Sequence, residues 1–563
     1  MTTAELVGRT LAGLGVAQAF GVVGSGNFVV TNALRANGVP FVATRHECGA
    51  AVMADAYARM SERLAVVTTH QGCGLTNALT GITEAAKSRT PLLVLTADTP
   101  GAAVRSNFRV DQDALIAAVG AVPERVHSPQ TAVADTLRAY RTAVHERRTV
   151  VLNLPLDVQA TPTAAERAVA VPAQRAGQAG PPANAAAEEV TLSRAPRPIR
   201  PHPRDAVDLA NAIRAAERPV FIAGRGARGA GAELRELADA AGALLTTSAV
   251  ANGLFAGHPW SLGICGGFAS PLAAELVATA DLIVGWGCAL NVWTTKHGKL
   301  IAPDTRLAQV DIDPAAFGAH RPVELGVLGD VGQTARDVLF SLGVTREGYR
   351  TDEVRDRLTK EVRWRDVAYT DESTEDRIDP RTLSLRLDEL LPKERIVAVD
   401  SGNFMGYPSA YLNVPDQYGF CFTQAFQSIG LGLSSAVGAA LARPDRLPVA
   451  ALGDGGAMMG IAELDTVVRL GLPMLVVVYN DEAYGAEVHH FAGDGVDMGA
   501  VRFPETDIAA VGAGFGCAGL TVRTVADLDG VADWLGGPRD RPLLVDAKIT
   551  SDGGSWWLAE AFR

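Results

Sequence analysis

A chain of 563 residues with 48% apolar and 20% charged residues reads as an ordinary globular protein of three to four domains, at roughly 150 residues each. Its net charge of −12 argues against a general nucleic-acid binder, and no apolar run approaches the roughly 18 residues of a membrane span, so neither nucleic acid nor membrane is an expected partner. The start, MTTAELVGRTLAGLGV, has no basic segment before an apolar core, and the cysteines at 48, 73, 265, 288, 421 and 517 form no CxxC pair; reduced thiols and a cytoplasmic location are expected.

In chain order, residues 1–160 offer strand candidates Phe41–Thr44, Leu64–Thr69, Pro91–Thr96 and Thr149–Leu154. Helix-like segments such as Cys48–Met60 and Thr76–Ala86 lie between them. Residues 161–204 are rich in Ala, Pro and Gly without apolar periodicity and read as an interdomain linker. A second block, 205–343, carries strands Pro219–Ala223, Leu244–Thr246, Leu282–Gly285 and Arg306–Asp311. Residues 344–378 are a charged helix and loop, a second linker. A third block, 379–563, carries Arg395–Val399, Val449–Leu452, Met474–Val478 and Pro542–Ala547. Alternating strands and helices of this kind predict an α/β protein with three doubly wound parallel sheets.

The chemistry concentrates at strand ends in the third block. The run LGDGGAMMGIAELDTVVRLGLPMLVVVYNDEAYG closes one strand with Gly-Asp-Gly and the next with Asn480-Asp481. Ligands in open parallel sheets bind beyond the carboxyl ends of strands. Asp454, Asn480 and Asp481 supply hard oxygen ligands, and a carbonyl near Ala483 completes a shell that suits Mg²⁺. Backbone N–H groups of Gly455, Gly456 and Ala457 open the following helix and suit phosphate oxygens. Near the N-terminus, FVATRHECGAAVMADAYAR places Glu47 at a junction between a strand and an Ala-rich helix, where a carboxylate can be buried and still face a ligand.

Gly-Asp-Gly followed by the Asn-led pair, together with the Arg-His-Glu segment, resembles the thiamine-diphosphate enzymes, in particular the acetolactate synthase, pyruvate decarboxylase and benzoylformate decarboxylase group. The resemblance covers almost the whole chain: pyrimidine-binding, central Rossmann-like and diphosphate-binding domains. It implies thiamine diphosphate and Mg²⁺ as cofactors. It implies that Glu47 meets a ring nitrogen of the aminopyrimidine and promotes loss of the thiazolium proton. It further implies diphosphate contacts from Gly402 and Asn403, a Gln427 carbonyl that accepts from the pyrimidine amino group, and Ile429 as the apolar wedge that keeps the two rings bent.

Ser25, in Gly24-Ser25-Gly26-Asn27, and His70, before Gln71-Gly72-Cys73-Gly74, look like the pocket serine and histidine of benzoylformate decarboxylase-like enzymes. In AYGAEVHHF, Tyr484 extends the metal loop toward the pocket, and Glu487 and His490 share a helix face as acid/base candidates. Asn291 to His297 are expected to line the same pocket. Three departures stand out. Asp481 occupies a position more often Asn, Gly72-Cys73-Gly74 replaces a Gly-Pro-Gly turn, and Gln112 is out of register with the Phe-Gln-Glu segment of acetolactate synthases. Gly224-Arg225-Gly226 is a weak dinucleotide-type match, and FAD is not favoured.

The implied activity forms an acyl anion from a 2-keto acid and joins it to a carbonyl acceptor, as an acetolactate synthase-like carboligase or lyase. The alternatives are simple decarboxylation to an aldehyde and C–C hydrolysis or oxidation of a diketone. The resemblance also implies a homodimer or homotetramer with active sites at subunit interfaces.

Overall fold

The computed structural model describes residues 1–163, 197–551 and 555–558, so residues 164–196 of the expected first linker lie outside the described residues. Among the described residues eighteen strands form three six-stranded sheets, and every pairing within a sheet is parallel.

The first sheet holds β1 (Gln18–Gly21), β2 (Phe41–Ala43), β3 (Ala65–Thr69), β4 (Leu92–Asp98), β5 (Val122–Arg125) and β6 (Thr149–Pro155). The second holds β7 (Pro219–Ala223), β8 (Leu244–Thr247), β9 (Ser261–Ile264), β10 (Leu282–Trp286), β11 (Arg306–Asp311) and β12 (Leu325–Leu328). The third holds β13 (Arg395–Val399), β14 (Phe420–Phe422), β15 (Leu447–Gly453), β16 (Leu475–Asn480), β17 (Ala518–Val522) and β18 (Leu543–Lys548). Runs such as Leu-Leu-Val-Leu in β4 and Leu-Val-Val-Val in β16 are buried along their length because helices cover both faces of such sheets.

The spatial order is β2-β1-β3-β4-β6-β5 in the first sheet and β14-β13-β15-β16-β18-β17 in the third. Counted from its own first strand, each reads 2-1-3-4-6-5. The central sheet, β12-β11-β10-β7-β8-β9, has the order long associated with dinucleotide-binding folds. The direction of winding therefore reverses between β1 and β3, between β7 and β10, and between β13 and β15. Those reversals open crevices at the carboxyl ends of the strands.

The first and third sheets meet inside one chain. Helix α1 (Glu47–Ser61) follows β2, α2 (Cys73–Lys87) follows β3, and α3 (Gly432–Ala442) follows β14. Ala50, Ala54 and Ala58 of α1 share one core with Ala436, Ala439 and Ala440 of α3, where small side chains let the two helices approach closely. Arg59, at the end of α1, is buried there and paired with Asp55 at 2.5 Å and Glu84 at 2.8 Å. The segment expected as a second linker contains a helix, Asp352–Glu361, that buries Val354 and Leu358.

Candidate active site

The crevice between β13 and β15 is built on a buried carboxylate. Asp400 follows β13 directly and accepts N–H groups from Ser401 at 2.8 Å, Gly430 at 3.0 Å and Leu431 at 3.1 Å. Burial pushes its carboxyl up to about 6, against the opposing pull of those N–H groups. Asp400 thereby ties the loop that enters α3 to the end of β13. That loop presents Gln427, whose φ of 62° lies in the left-handed region, and the half-buried Ile429. Both line a cavity of about 1110 Å³, together with Gly402 and Asn403. Asn403 is itself held from the far end of the chain: the Ser555 hydroxyl bonds its carbonyl oxygen at 2.8 Å and its side-chain oxygen at 2.5 Å.

One strand across, β15 ends at Gly453, and Asp454 opens helix α4 (Asp454–Gly460). β16 ends at Asn480 and passes to Asp481. The two carboxyls face one cavity and hydrogen-bond each other. Loss of water raises both above the ordinary carboxylate range, and the Asp454 charge raises Asp481 further. Ala483 lines the same space, and its backbone N–H opposes that rise at both carboxyls. Among the described residues no cationic side chain pairs with Asp454 or Asp481. Two juxtaposed carboxyls that must share a proton in the absence of a positive partner are a fitting donor set for a hard divalent cation. Gly455 and Gly456, at the N-terminus of α4, line the cavity where phosphate oxygens would lie.

Two expected side chains, Asn480 and His490, are placed differently. Asn480 does not face the cavity. Its amide donates to Asp546 at 2.8 Å and its side-chain oxygen accepts from the Glu482 N–H at 3.1 Å, so it braces the loop rather than offering a ligand. Ala457 buries its methyl group in the core between the two sheets, and the group expected of it at the site is its backbone N–H in the first turn of α4. Helix α5 (Gly485–Phe491) forms as expected, with Tyr484 and Glu487 at the cavity. His490 does not line it and instead lies 5.8 Å from the His489 ring. In the central domain Asn291, Trp293 and Thr294 do reach the cavity. The Gly224-Arg225-Gly226 turn also lines the cavity and packs closely on its neighbour: a Cβ on Gly224 would lie 2.3 Å from the Gly287 carbonyl oxygen.

A second cluster occupies the equivalent crevice of the first sheet, between β1 and β3. Ser25 Oγ lies 3.3 Å from His70 Nε2, and the His70 Nδ1 is 3.1 Å from the Gln71 carbonyl. The His70 ring packs 5.1 Å from Phe108. Glu47, half-buried at the start of α1, accepts from Asn77 at 3.1 Å. His46 caps the same helix by accepting the Cys48 N–H at 3.1 Å. The turn before α2 is fixed by a residue whose role the sequence does not reveal. Buried Gln112 accepts the Gly72 N–H at 2.9 Å and donates to Asn153 at 2.7 Å. Within one chain, Ser25, Glu47 and His70 do not line the cavity that Asp454 and Asp481 line.

Three family models match the chain: "Thiamine pyrophosphate enzyme, N-terminal TPP binding domain" over residues 1–118, the "central domain" over 207–338, and the "C-terminal TPP binding domain" over 400–547. The "Probable 2-ketoarginine decarboxylase AruI" of Pseudomonas aeruginosa is 30% identical over 94% of this chain and 90% of its own length. The chain belongs to the thiamine pyrophosphate enzymes. Two further relatives differ in what their names say they do. A "Sulfoacetaldehyde acetyltransferase" of Rhodobacter capsulatus is 28% identical over the whole of this chain and 96% of its own length. A "Probable acetolactate synthase large subunit" of Methanocaldococcus jannaschii is 26% identical over 86% of this chain and 81% of its own length. This thiamine pyrophosphate enzyme is thus of transferase or lyase type, and its two cofactor-binding domains are the ones with matching sheet order.

Proposed function

We propose that the chain is a Mg²⁺- and thiamine diphosphate-dependent enzyme that decarboxylates a 2-keto acid and joins the remaining acyl unit to a carbonyl acceptor. The observation that carries this reading is the Asp454–Asp481 pair beside the β13/β15 crevice, in one cavity with Gln427 and Ile429. Thiamine diphosphate, when bound, supplies the nucleophilic carbon and the electron sink for loss of CO₂.

The chain's own groups have separable tasks. Asp454 and Asp481, with the Ala483 carbonyl, would hold Mg²⁺, and the ion would keep its remaining positions for diphosphate and water oxygens. Gly402, Asn403, Gly455 and Gly456 would bind the diphosphate, and Tyr484 would cover it. The Gln427 carbonyl would accept from the pyrimidine amino group, and Ile429 would pack between the rings. Glu47 Oε would hold a proton at the pyrimidine ring nitrogen. Glu487 at the cavity mouth and the Ser25–His70 pair would move protons at the substrate oxygens.

In this reading Glu47 and Asp454 act on one cofactor from different chains, since within one chain Glu47 does not line the cavity of Asp454. Apolar side chains stand exposed beside both clusters: Val23, Phe28 and Phe108 near His70, and Phe426, Met459 and Phe491 near Gln427 and Glu487. A second copy of the chain would cover them and complete each site, which supports a homodimer or a homotetramer. All six cysteines are free thiols, which supports a cytoplasmic location.

A second reading, simple decarboxylation to an aldehyde, is favoured by the 3.3 Å Ser25–His70 contact, a ready proton relay. Product analysis separates the readings. A panel of 2-keto acids, each with and without an aldehyde acceptor, should give CO₂ and a hydroxyketone or acetohydroxy acid. Aldehyde as the sole organic product would replace the first reading with the second. Carboxylate without CO₂ would overturn both.

A further inference from the structure

Two buried carboxylates have no part in the function proposed above. Glu463 lies on the short turn Ile461–Glu463 after α4, in the third domain. Its Oε1 accepts the backbone N–H groups of Arg45 at 3.1 Å and His46 at 3.0 Å, and its Oε2 accepts the Thr466 hydroxyl at 2.6 Å. Arg45 and His46 are the two residues before Glu47. Gly49 makes room for this reach, since a Cβ there would lie 2.4 Å from Glu463 Oε1.

Glu84, on α2 of the first domain, reaches in the opposite direction. Its Oε1 accepts the Ala425 N–H at 3.1 Å and its Oε2 the Phe426 N–H at 2.7 Å. Ala425 and Phe426 are the two residues before Gln427. Arg59 neutralises Glu84 at 2.8 Å, and Ser88 adds a hydroxyl at 3.2 Å.

The two contacts occupy corresponding places. Glu84 sits on the helix after β3, the third strand of its sheet, and Glu463 follows α4, the helix after β15, the third strand of its own. Each holds the segment that links the second strand of the other sheet to the helix behind it, β2 to α1 or β14 to α3. A buried carboxylate that accepts two adjacent backbone N–H groups fixes a turn firmly, because charge-assisted bonds in low dielectric are strong and directional.

We propose that Glu463 and Glu84 are reciprocal positioning residues: Glu463 sets the Glu47 carboxylate, and Glu84 sets the Gln427 carbonyl, each from the opposite domain of the same chain. The inference rests on the proposed function, in which Glu47 and Gln427 both meet the aminopyrimidine ring.

The test uses the full chain with Mg²⁺ and thiamine diphosphate as probes. It reads the cofactor dissociation constant by calorimetry and the hydrogen–deuterium exchange rate of the thiazolium C2 proton by NMR. Glu463→Ala should slow exchange by about tenfold or more while the dissociation constant stays within about threefold, because Glu47 is misplaced and the diphosphate anchor is untouched. Glu463→Gln keeps an acceptor at Oε1 and should recover most of the rate. Asp465→Asn removes the exposed ion pair to Arg45 (2.6 Å), an outer tie on the same segment, and should leave the rate within about twofold. If Glu463→Ala does not fold, Gly49→Ala carries the same test by displacing the carboxylate with a methyl group.

Exchange within about twofold of wild type in Glu463→Ala or Gly49→Ala overturns the inference alone. So does an equal loss in Asp465→Asn, or no recovery in Glu463→Gln. A wild-type chain that binds no thiamine diphosphate overturns the proposed function and the inference together.

Discussion

The first and third sheets share a strand order and a crevice, yet the side chains placed there do opposite things. Beside the β13/β15 crevice, at the ends of β15 and β16, two carboxyls stand together with no cationic partner among the described residues, a donor set that suits the metal ion of the proposed function. At the β1/β3 crevice it sets a hydroxyl, an imidazole and a half-buried carboxylate, each with a hydrogen-bond partner, which makes a place for proton movement. In the proposed function the same scaffold anchors a cofactor at one end and handles protons at the other. Backbone topology fixes where a ligand can sit, and the residues at the strand ends fix what it can be.

The comparison predicts that the two crevices fail in different ways. Glu47→Gln should leave thiamine diphosphate affinity within about threefold while turnover falls by about a thousandfold, in the range expected for loss of a positioned acid/base group. Steady-state kinetics beside calorimetry checks this, and undiminished turnover would remove Glu47 from its role. Asp454→Ala should do the reverse. Mg²⁺-dependent binding of the cofactor should weaken by about a hundredfold or more, because Asp481 alone is a poor ligand set. Binding that survives without Asp454 would move the cation elsewhere.

Smaller effects sharpen the same contrast. His70→Ala should lower the share of protonated product by about tenfold with cofactor binding intact. An unchanged product ratio would place His70 outside the reaction. The smallest effect is on stability against pH. Asp454 and Asp481 have folded-state values above the unfolded value of roughly 4, so the folded chain retains protons that the unfolded chain has released. Their contribution is fully present below that unfolded value and is lost as pH rises through the folded values. The melting temperature of the cation-free protein should therefore drop as pH is raised toward neutral. Mg²⁺ should remove that drop, since the cation takes the place of the shared proton. A melting temperature equally flat with and without Mg²⁺ would show that the pair is not the cation site.

Legibility in the sequence followed burial in the second and third sheets, whereas in the first the short buried strand β1 is missing from the strand candidates and the edge strand β2 is among them. In the second and third sheets, the four central strands of each are found among the strand candidates, while the outer strands β9, β12, β14 and β17 are not. β9 and β12 are partly exposed, β14 has only three residues, and β17 includes Gly519, so none presents the apolar run of a covered parallel strand. β5, at the edge of the first sheet, is half-exposed throughout and equally silent. Asp454 and Asp481 were legible because short polar residues after an apolar strand are conspicuous. Asn480 was misleading for the same reason, and only its bond to Asp546 shows that it turns away. Glu84, Glu463 and Gln112 were not legible as buried anchors. A charged or amide residue in a helix reads as solvated surface until a backbone from elsewhere in the chain arrives to use it.

The far end of the described chain has a practical use. Trp556 and Trp557 follow Ser555 and pack with Trp364 and Tyr407, at ring separations of 4.3 Å (Trp364–Trp556) and 4.8 Å (Tyr407–Trp557). Ser555 holds Asn403, and Trp293 lines the same cavity. Four of the seven indoles are therefore within one or two contacts of the cavity wall. The protein carries its own optical reporter: intrinsic emission near this cluster should change when the crevice fills, so ligand occupancy can be followed without a label or a coupled reaction.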